Sequence, residues 1–542
     1  MNCHLDATSS ARRPIDPMVD IGSPWVLGAL FVCALLVAVY FVVRSGGYWA
    51  ENDTAMQGLA IRTMVEGGRL APDESAYPRA YAYPNGYGYA AISTALLAFT
   101  GLTVSGLQQL VYPLTSALLV FPAWALYREL TGTWRGAALA TLLLLLQPEF
   151  LFVVLRGSHE RVLRCCMMLS LWLLIRSFRF GERPGAFTAH VGLFYVVAFG
   201  LMATNALFGI SFVLAIALAL GLGWLLAVVR PRLIDLDGRV LGRLTLTVLA
   251  VAGLGFLFIF YVYPLASHGL RALNQVVVAS VTTTEEATAD TPERIEDTYA
   301  AVVAGWTSLE AYFLVSSGTY LLMASSALVW IWQAVRWARG HERPVKLSAQ
   351  LLWLLYGAFA IQGALAIVGD RSGLLGANLQ YRAFPSFALL AAPLVARALQ
   401  RQPLPHLGRG VVALGLGVLA GLGALKATTE PGLSNKWSFY TVGEMQALEW
   451  GDRYSRSEPI WLGWDERLSS AFALDVGFSE HQNIWDIFAP ETTTRLFLYS
   501  DVVELQAVRF GRPLLAGEGE NRIYDNGTAQ YYRLRPRTPF QR

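Results

Sequence analysis

The chain has 542 residues, and 15% of them are charged, where a soluble globular protein carries about 25%. Hydrophobic residues make up 54%, and the 49 glycines lift the apolar share to roughly 63%, against a usual 45–50%. So few charges cannot cover a water-soluble enzyme of this size, and the same composition excludes disorder, a collagen-like repeat and a coiled coil. A net charge of +3 is too small to point to nucleic acid. The cysteines, Cys3, Cys33, Cys165 and Cys166, supply neither a disulfide framework nor a Cys-based metal site.

In chain order, residues 1–23 form a polar tail with Arg12 and Arg13 before a run that reads as a retained anchor. About 20 apolar residues cross a bilayer as a helix. Spans are expected near 24–43, 107–127, 136–155, 162–178, 190–204, 206–229, 244–263, 309–333, 347–368, 383–396 and 410–427. Arginine clusters recur in every other loop, from Arg12/Arg13 through Arg128/Arg135, Arg176/Arg179/Arg183 and Arg230/Arg232/Arg239/Arg243 to Arg336/Arg339/Arg343/Lys346 and Arg397/Arg401/Arg409. The positive-inside rule puts those loops and the N-terminus in the cytoplasm. Counting 86–101 as a span would break the alternation, so it is expected as an interfacial or re-entrant helix within the first outer loop.

The outer face is then built from residues 44–106, a tight turn at 156–161, and loops at 264–308 and 369–382. Residues 430–542 contain no span. Pro459-Ile460-Trp461-Leu462 and Leu496-Phe497-Leu498-Tyr499 read as short strands between turn residues. The fold class expected is an α-helical polytopic membrane protein of about 11 transmembrane helices over 24–429, with a small α+β extracytoplasmic C-terminal domain over 430–542. The expected location is a prokaryotic plasma membrane.

Four features of the outer face call for an explanation. Glu51-Asn52-Asp53 opens an amphipathic helix and suits either an N-terminal cap or a catalytic or metal role. Gly157-Ser158-His159-Glu160-Arg161 is a hairpin tip between two apolar runs; ionisable groups at a membrane boundary usually pair or work. Arg156, Arg161 and Arg164 flank Glu160, so a structural ion pair competes with catalysis there. Tyr381-Arg382 offers a planar fork of donors for phosphate oxygens, or a snorkelling cation. The polar loop holding Glu285 and Glu286 reads as a mobile segment. Asn526-Gly527-Thr528 matches a glycosylation acceptor, a pattern common by chance. An anionic lipid-phosphate substrate needs cationic contacts, and a divalent metal or an acceptor to be activated needs carboxylates.

The order of these motifs resembles the GT-C membrane glycosyltransferases, and among them the catalytic subunit of oligosaccharyltransferases. The likeness lies in Glu51-Asn52-Asp53 after the first span, Met64-Val65-Glu66-Gly67-Gly68 closing the helix, and the Tyr-Pro-rich Tyr77-Pro78-Arg79 and Tyr83-Pro84-Asn85-Gly86. It continues in Gly157-Ser158-His159-Glu160, in Ala279-Ser280-Val281 with Glu285 and Glu286, and in Leu379-Gln380-Tyr381-Arg382. Val162 stands where that family has a second acidic residue, and Trp461-Leu462-Gly463-Trp464-Asp465 stands where it has WWDYG. The resemblance implies transfer of a sugar or oligosaccharide from a polyprenyl-phosphate or pyrophosphate carrier, on the extracytoplasmic face, to a glycan, lipid or protein acceptor.

In that reading Asp53, with Glu51 and Glu160, is the catalytic set; Arg382, with Tyr381, Arg156 and Arg161, holds the carrier phosphate; Glu285 and Glu286 lie on a closing loop. A divalent cation, manganese or magnesium, is implied on Asp53, Glu160 and His159, with His159 as a phosphate contact the alternative to a ligand, and metal-free work by the carboxylates the alternative to a cation. Partners are the lipid-linked donor, the acceptor and membrane lipids, with no nucleic acid. A flippase of lipid-linked glycans is disfavoured, because mainly Gln147, Asn205 and Gln362 interrupt the spans. An inactive relative serving as a binding scaffold is the third reading, and Val162 is its support.

Overall fold

The computed structural model describes residues 23–45, 49, 52–70, 86–155, 158–229, 236, 238–258, 261, 309–339, 347–370, 379–401, 406–428, 440–454, 460–461, 468, 496–501 and 520–533. Among these residues nine helices are long and apolar enough to cross a membrane. In chain order the helices of the first half are α1 (Pro24–Ser45), α2 (Asn52–Gly67), α3 (Gly88–Thr100), α4 (Val104–Thr131), α5 (Trp134–Leu145), α6 (Pro148–Leu155), α7 (Glu160–Arg179), α8 (Pro184–Thr204) and α9 (Ala206–Val229). They continue as α10 (Gly238–Leu257), α11 (Leu309–Val315), α12 (Ser317–Ala338), α13 (Leu347–Asp370), α14 (Leu379–Arg401), α15 (His406–Thr428) and α16 (Val442–Tyr454).

The architecture is the polytopic helical one read from the sequence, with two differences in how the spans are made. The run expected as one helix over 136–155 is two, α5 and α6, bent by 76° at Leu146-Gln147. Pro148 cannot donate to the carbonyl four residues back, and Gln147 Nε2 turns back to Leu143 O at 2.9 Å. The expected span at 162–178, helix α7, carries at least three charges in every stretch of 18 residues, too many for a lipid-facing helix. A helix with Glu160, Arg161, Arg164, Arg176 and Arg179 is costly against lipid, so it lies inside, against α4 and α8. Its residues Leu163, Met168, Ser170 and Leu171 are fully buried, whereas the lipid-type helix α15 buries only 17% of its apolar window.

Helix α14 is the other interior element, with 78% of its window buried and α5, α12 and α13 around it. It holds Pro385 and Pro393 inside the helix; proline interiors are tolerated where neighbouring helices cover the loosened backbone. In α4, Pro113 follows a π-helical turn at Leu107–Val111 and precedes a 3-10 turn at Ser116–Leu119. The missing N–H of Pro113 and its ring bulk account for the widened turn. Segment 88–100 is a helix of 13 residues, about 20 Å long and too short to cross a hydrocarbon core of about 30 Å by itself. Gly86 (φ +154°) and Gly88 bring it down on the end of α8, where a Cβ on Gly88 would meet the Ala203 carbonyl carbon at 2.8 Å.

The C-terminal part is a four-stranded sheet of β1 (Ile460–Trp461), β2 (Leu496–Ser500), β3 (Asn521–Asp525) and β4 (Ala529–Arg533) in the order β1-β2-β4-β3. β1 runs parallel to β2, and the other neighbours are antiparallel. Helix α16 packs on β4 and starts with a reciprocal cap: Glu444 N donates to Thr441 Oγ1 at 3.1 Å and Thr441 N to Glu444 Oε2 at 2.9 Å. Asn526-Gly527-Thr528 forms the β3–β4 turn. Asn526 Oδ1 accepts from Thr528 N and Ala529 N, and its Nδ2 donates to Gly443 O at 2.8 Å, so the sequon-like triplet builds this hairpin.

Candidate functional site

The site is best built from α7 outward. Ser158 Oγ accepts the Glu160 amide at 3.4 Å, and Glu160 opens the helix, where a carboxylate suits the positive end of the dipole. Ser158, His159, Glu160 and Arg161 are all buried. Arg161 turns back to α6: its Nε donates to Val154 O at 2.8 Å and its Nη2 to Leu155 O at 2.7 Å. It thereby satisfies carbonyls at the end of α6 that have no intrahelical partner and neutralises the negative end of that short helix. The guanidinium also lies over the Tyr112 ring, 5.2 Å from its centroid.

Arg164, one turn on, is completely buried and donates from Nη1 to Ser386 Oγ on α14 at 2.6 Å. At the far end of α4, Arg176 and Arg179 of α7 reach Glu129, and Arg397 of α14 donates to Leu130 O at 3.0 Å. From Arg164 to Arg176 is about 18 Å of helix, and from Ser386 to Arg397 about 17 Å. Tied at both levels, α7 and α14 run parallel and in step. Glu160 precedes Arg164 by four residues and Arg382 precedes Ser386 by four. Both therefore stand about 6 Å, one turn, beyond the tie and in one layer of the bundle. Pro385 falls between Arg382 and Ser386, so the turn carrying Tyr381 and Arg382 lacks the main-chain bond a regular helix would give it.

Asp53 lies in the first turn of α2. That helix is seated by Ala60, Ile61 and Met64 against Tyr89, Ala90 and Leu97 of α3 and Leu107 and Tyr112 of α4, with Val162 packed on the same cluster. Tyr112 links the layers, since its hydroxyl shares a 2.6 Å hydrogen bond with Ser93 while its ring supports Arg161. The helices bearing Asp53, Glu160 and Arg382 thus meet at one end of the bundle. Arg161 reaches helix α6 rather than this layer alone. Glu51, Arg156, Glu285 and Glu286 lie outside the described residues, as do the whole of loop 264–308 and the side chains of Asp53, Tyr381 and Arg382.

A metal ion needs three or more donors, and among the described residues no three His, Cys, Asp or Glu side chains converge. His159 Nε2 receives the Nδ2 group of Asn205 at 3.0 Å, which occupies the lone pair a neutral imidazole would give a metal. Val162 belongs to the apolar cluster. Of the three implied ligands, Glu160 and His159 are described, and the Asp53 side chain lies outside the described residues. What the described residues bring together is a buried carboxylate, Glu160, a buried imidazole, His159, and the buried guanidinium groups of Arg161 and Arg164.

Sequence reasoning read Asn205 only as a polar break between spans and Arg164 only as a neighbour of Glu160, did not single out Ser386, and overlooked an ionisable pair within the bundle. Lys426 Nζ of α15 lies 2.6 Å from Glu149 Oε1 at the start of α6 and donates to Ser316 Oγ at 2.6 Å; Thr319 Oγ1 donates to Glu149 Oε2. The pair joins the first turn of α6 to the last turn of α15. The signal for Asn205 was present: an Asn between two apolar runs is a helix start.

No protein-family model matches the chain, and no curated protein matches it in sequence. Solved structures do resemble it. The oligosaccharyltransferase of Archaeoglobus fulgidus in its apo form aligns with a TM-score of 0.58 at 13% identity, over 90% of this chain and 71% of that one. The same enzyme tethered through a disulfide to an acceptor peptide containing the NVT sequon gives 0.58 and 13%, over 91% and 72%. The mycobacterial arabinofuranosyltransferase AftD gives 0.45 and 14%, over 94% of this chain and 41% of that one. The fold is like that of the Archaeoglobus fulgidus oligosaccharyltransferase, in agreement with the resemblance read from the order of motifs along the sequence.

Proposed function

We propose that this chain is a membrane glycosyltransferase that moves a sugar or oligosaccharide from a polyprenyl-phosphate or pyrophosphate carrier to an acceptor on the extracytoplasmic face. Its support is a single juxtaposition: within a GT-C fold, Glu160 and Arg382 stand in one layer, one turn beyond the Arg164–Ser386 tie. Asp53 orients or deprotonates the acceptor nucleophile, with Glu51 and Glu160 as supporting carboxylates. Arg382, with Tyr381 and Arg156, neutralises charge on the leaving phosphate, and the loop of Glu285 and Glu286 closes over the carrier to exclude water. The N-terminus lies in the cytoplasm and residues 430–542 outside.

The test is transfer by the purified protein in lipid, using radiolabelled polyprenyl-phosphate and pyrophosphate sugars, crude envelope acceptors, and arms with manganese, magnesium or chelator. Asp53→Asn is expected to lose transfer by about a hundredfold or more while still binding carrier. Arg382→Ala is expected to weaken carrier binding. A second reading, an inactive relative acting as a scaffold, is favoured by Val162, which packs in the apolar cluster where a second acid would sit. Wild type that binds carrier but transfers nothing across that acceptor pool decides for the scaffold.

A further inference from the structure

The end of the bundle away from Glu160 carries arginines that glycosyl transfer does not use. Arg176 and Arg179 of α7 share Glu129. Arg183, in the turn into α8, and Arg243 of α10 are exposed, and no carboxylate among the described residues pairs with either. Each lies instead over a ring: the Arg183 guanidinium is 6.0 Å from the Phe180 centroid, and that of Arg243 is 5.9 Å from the Phe187 centroid. Both rings are held in place. His190 packs on Phe180 with 5.1 Å between centroids, and its Nδ1 donates to Ala186 O at 2.7 Å. Phe187 N donates to Arg183 O at 2.9 Å, so the ring under Arg243 stands one turn, about 6 Å, from Arg183. Gly181 seats the α7–α8 turn on α10, since a Cβ there would collide with the Val240 side chain one turn before Arg243. Neither α8 nor α10 has an acidic residue in its first turn, and Glu182 and Arg239 have contacts of their own. Beyond Arg243, the exposed side of α10 continues in Leu246 and Leu249, 69% and 59% exposed.

We infer that Arg183 and Arg243 form a binding site for the headgroup of an anionic phospholipid, whose acyl chains lie along Leu246 and Leu249 of α10. The charge is complementary: two guanidiniums without carboxylate partners present planar forks of donors to phosphodiester oxygens. A zwitterionic headgroup brings a cation of its own, which the two arginines repel. Basic pockets between membrane helices take anionic headgroups in this way. The proposed orientation puts this lipid in the cytoplasmic leaflet; the headgroup chemistry does not depend on it, nor on sugar transfer.

The test places the full chain in nanodiscs of phosphatidylcholine titrated with phosphatidylglycerol or cardiolipin, and counts the lipids retained on the released protein by native mass spectrometry. The wild type is expected to hold an anionic lipid roughly tenfold or more tighter than phosphatidylcholine. Arg243→Gln should lower that affinity about fivefold, and Arg183→Gln with Arg243→Gln about thirtyfold, at about fivefold per arginine. Arg135 is the control, since its guanidinium also lies over a ring, 5.4 Å from the Trp134 centroid, but at the start of α5. Arg135→Gln should leave the affinity within about twofold of wild type. A wild type without preference for anionic lipid overturns the inference, as does a double variant with wild-type affinity. A loss in Arg135→Gln equal to that in Arg243→Gln overturns it too, because it would mark a general basic belt instead of a site. The comparison of lipids on the wild type needs no variant, so it decides even where a substituted protein folds poorly.

Discussion

The pair Glu149–Lys426 gives the sharpest stability prediction. Both side chains are nearly buried, at 13% and 9% exposure, with 2.6 Å between Lys426 Nζ and Glu149 Oε1 and further bonds to Thr319 and Ser316. Removing one partner leaves a charge in the bundle with its counter-charge gone, which costs about 3–5 kcal/mol. Removing both costs far less, because the desolvation penalty disappears with the charges. Glu149→Gln and Lys426→Met should each lower the apparent melting temperature in detergent, followed as the monodisperse fraction surviving a temperature series. The double variant should recover at least half of the larger loss, a coupling of about 2 kcal/mol or more between neighbours. The close seat of α15 supports this: a Cβ on Gly423 would come within 2.6 Å of Leu146 O, so the pair is held at the α5–α6 bend. Singles indistinguishable from wild type, or a double variant whose loss equals the sum, would refute the account.

Other expectations concern the site and the C-terminal sheet. Val162→Asp places a carboxylate in the cluster of Ile61, Met64, Tyr89 and Tyr112; folded yield should fall, with no gain of metal-dependent transfer in the same assay with and without manganese. Glu444 is fully buried and also accepts from Ser500 Oγ at 2.8 Å, so Glu444→Ala should cost about 1–3 kcal/mol and speed hydrogen exchange in 442–454 and 496–500. The Tyr531 hydroxyl is buried with no hydrogen-bond partner among the described residues, so Tyr531→Phe should stabilise the sheet by about 1 kcal/mol or leave it unchanged. Burial pushes the Tyr531 phenol well up. A raised folded pKa means that its stability term is whole below the unfolded value of about 10 and is lost as pH rises beyond it. Alkaline unfolding of the sheet, monitored by circular dichroism, should move to higher pH in Tyr531→Phe, and an unmoved transition would contradict the assignment.

Much of the fold was legible because bilayer length and charge alternation are one-dimensional constraints. The expected spans correspond to helices α1, α4, α8, α9, α10, α12, α13, α14 and α15, and the strands at Ile460 and Leu496 form as read. The bend at Leu146-Gln147 was not, since a hydrophobic run is the same composition straight or broken, and only Pro148 hinted at it. Glu149 was overlooked for the same cause: inside an assumed straight span it had no partner in view, and its partner, Lys426, is 277 residues away.

By itself the sequence determined that this is a many-span helical membrane protein, which helices carry ionisable groups, and where Asp53, Glu160 and Arg382 fall along the chain. Helix periodicity, apolar length and arginine placement are local properties, and lipid punishes any departure from them. Tertiary structure alone decided that α7 and α14 run parallel in step and that Arg161 serves the end of α6. It also decided that Asn205 Nδ2 meets His159 Nε2. Each of those facts is a hydrogen bond between groups distant in sequence or on separate elements, and a buried polar group takes whichever partner the packing brings within about 3 Å.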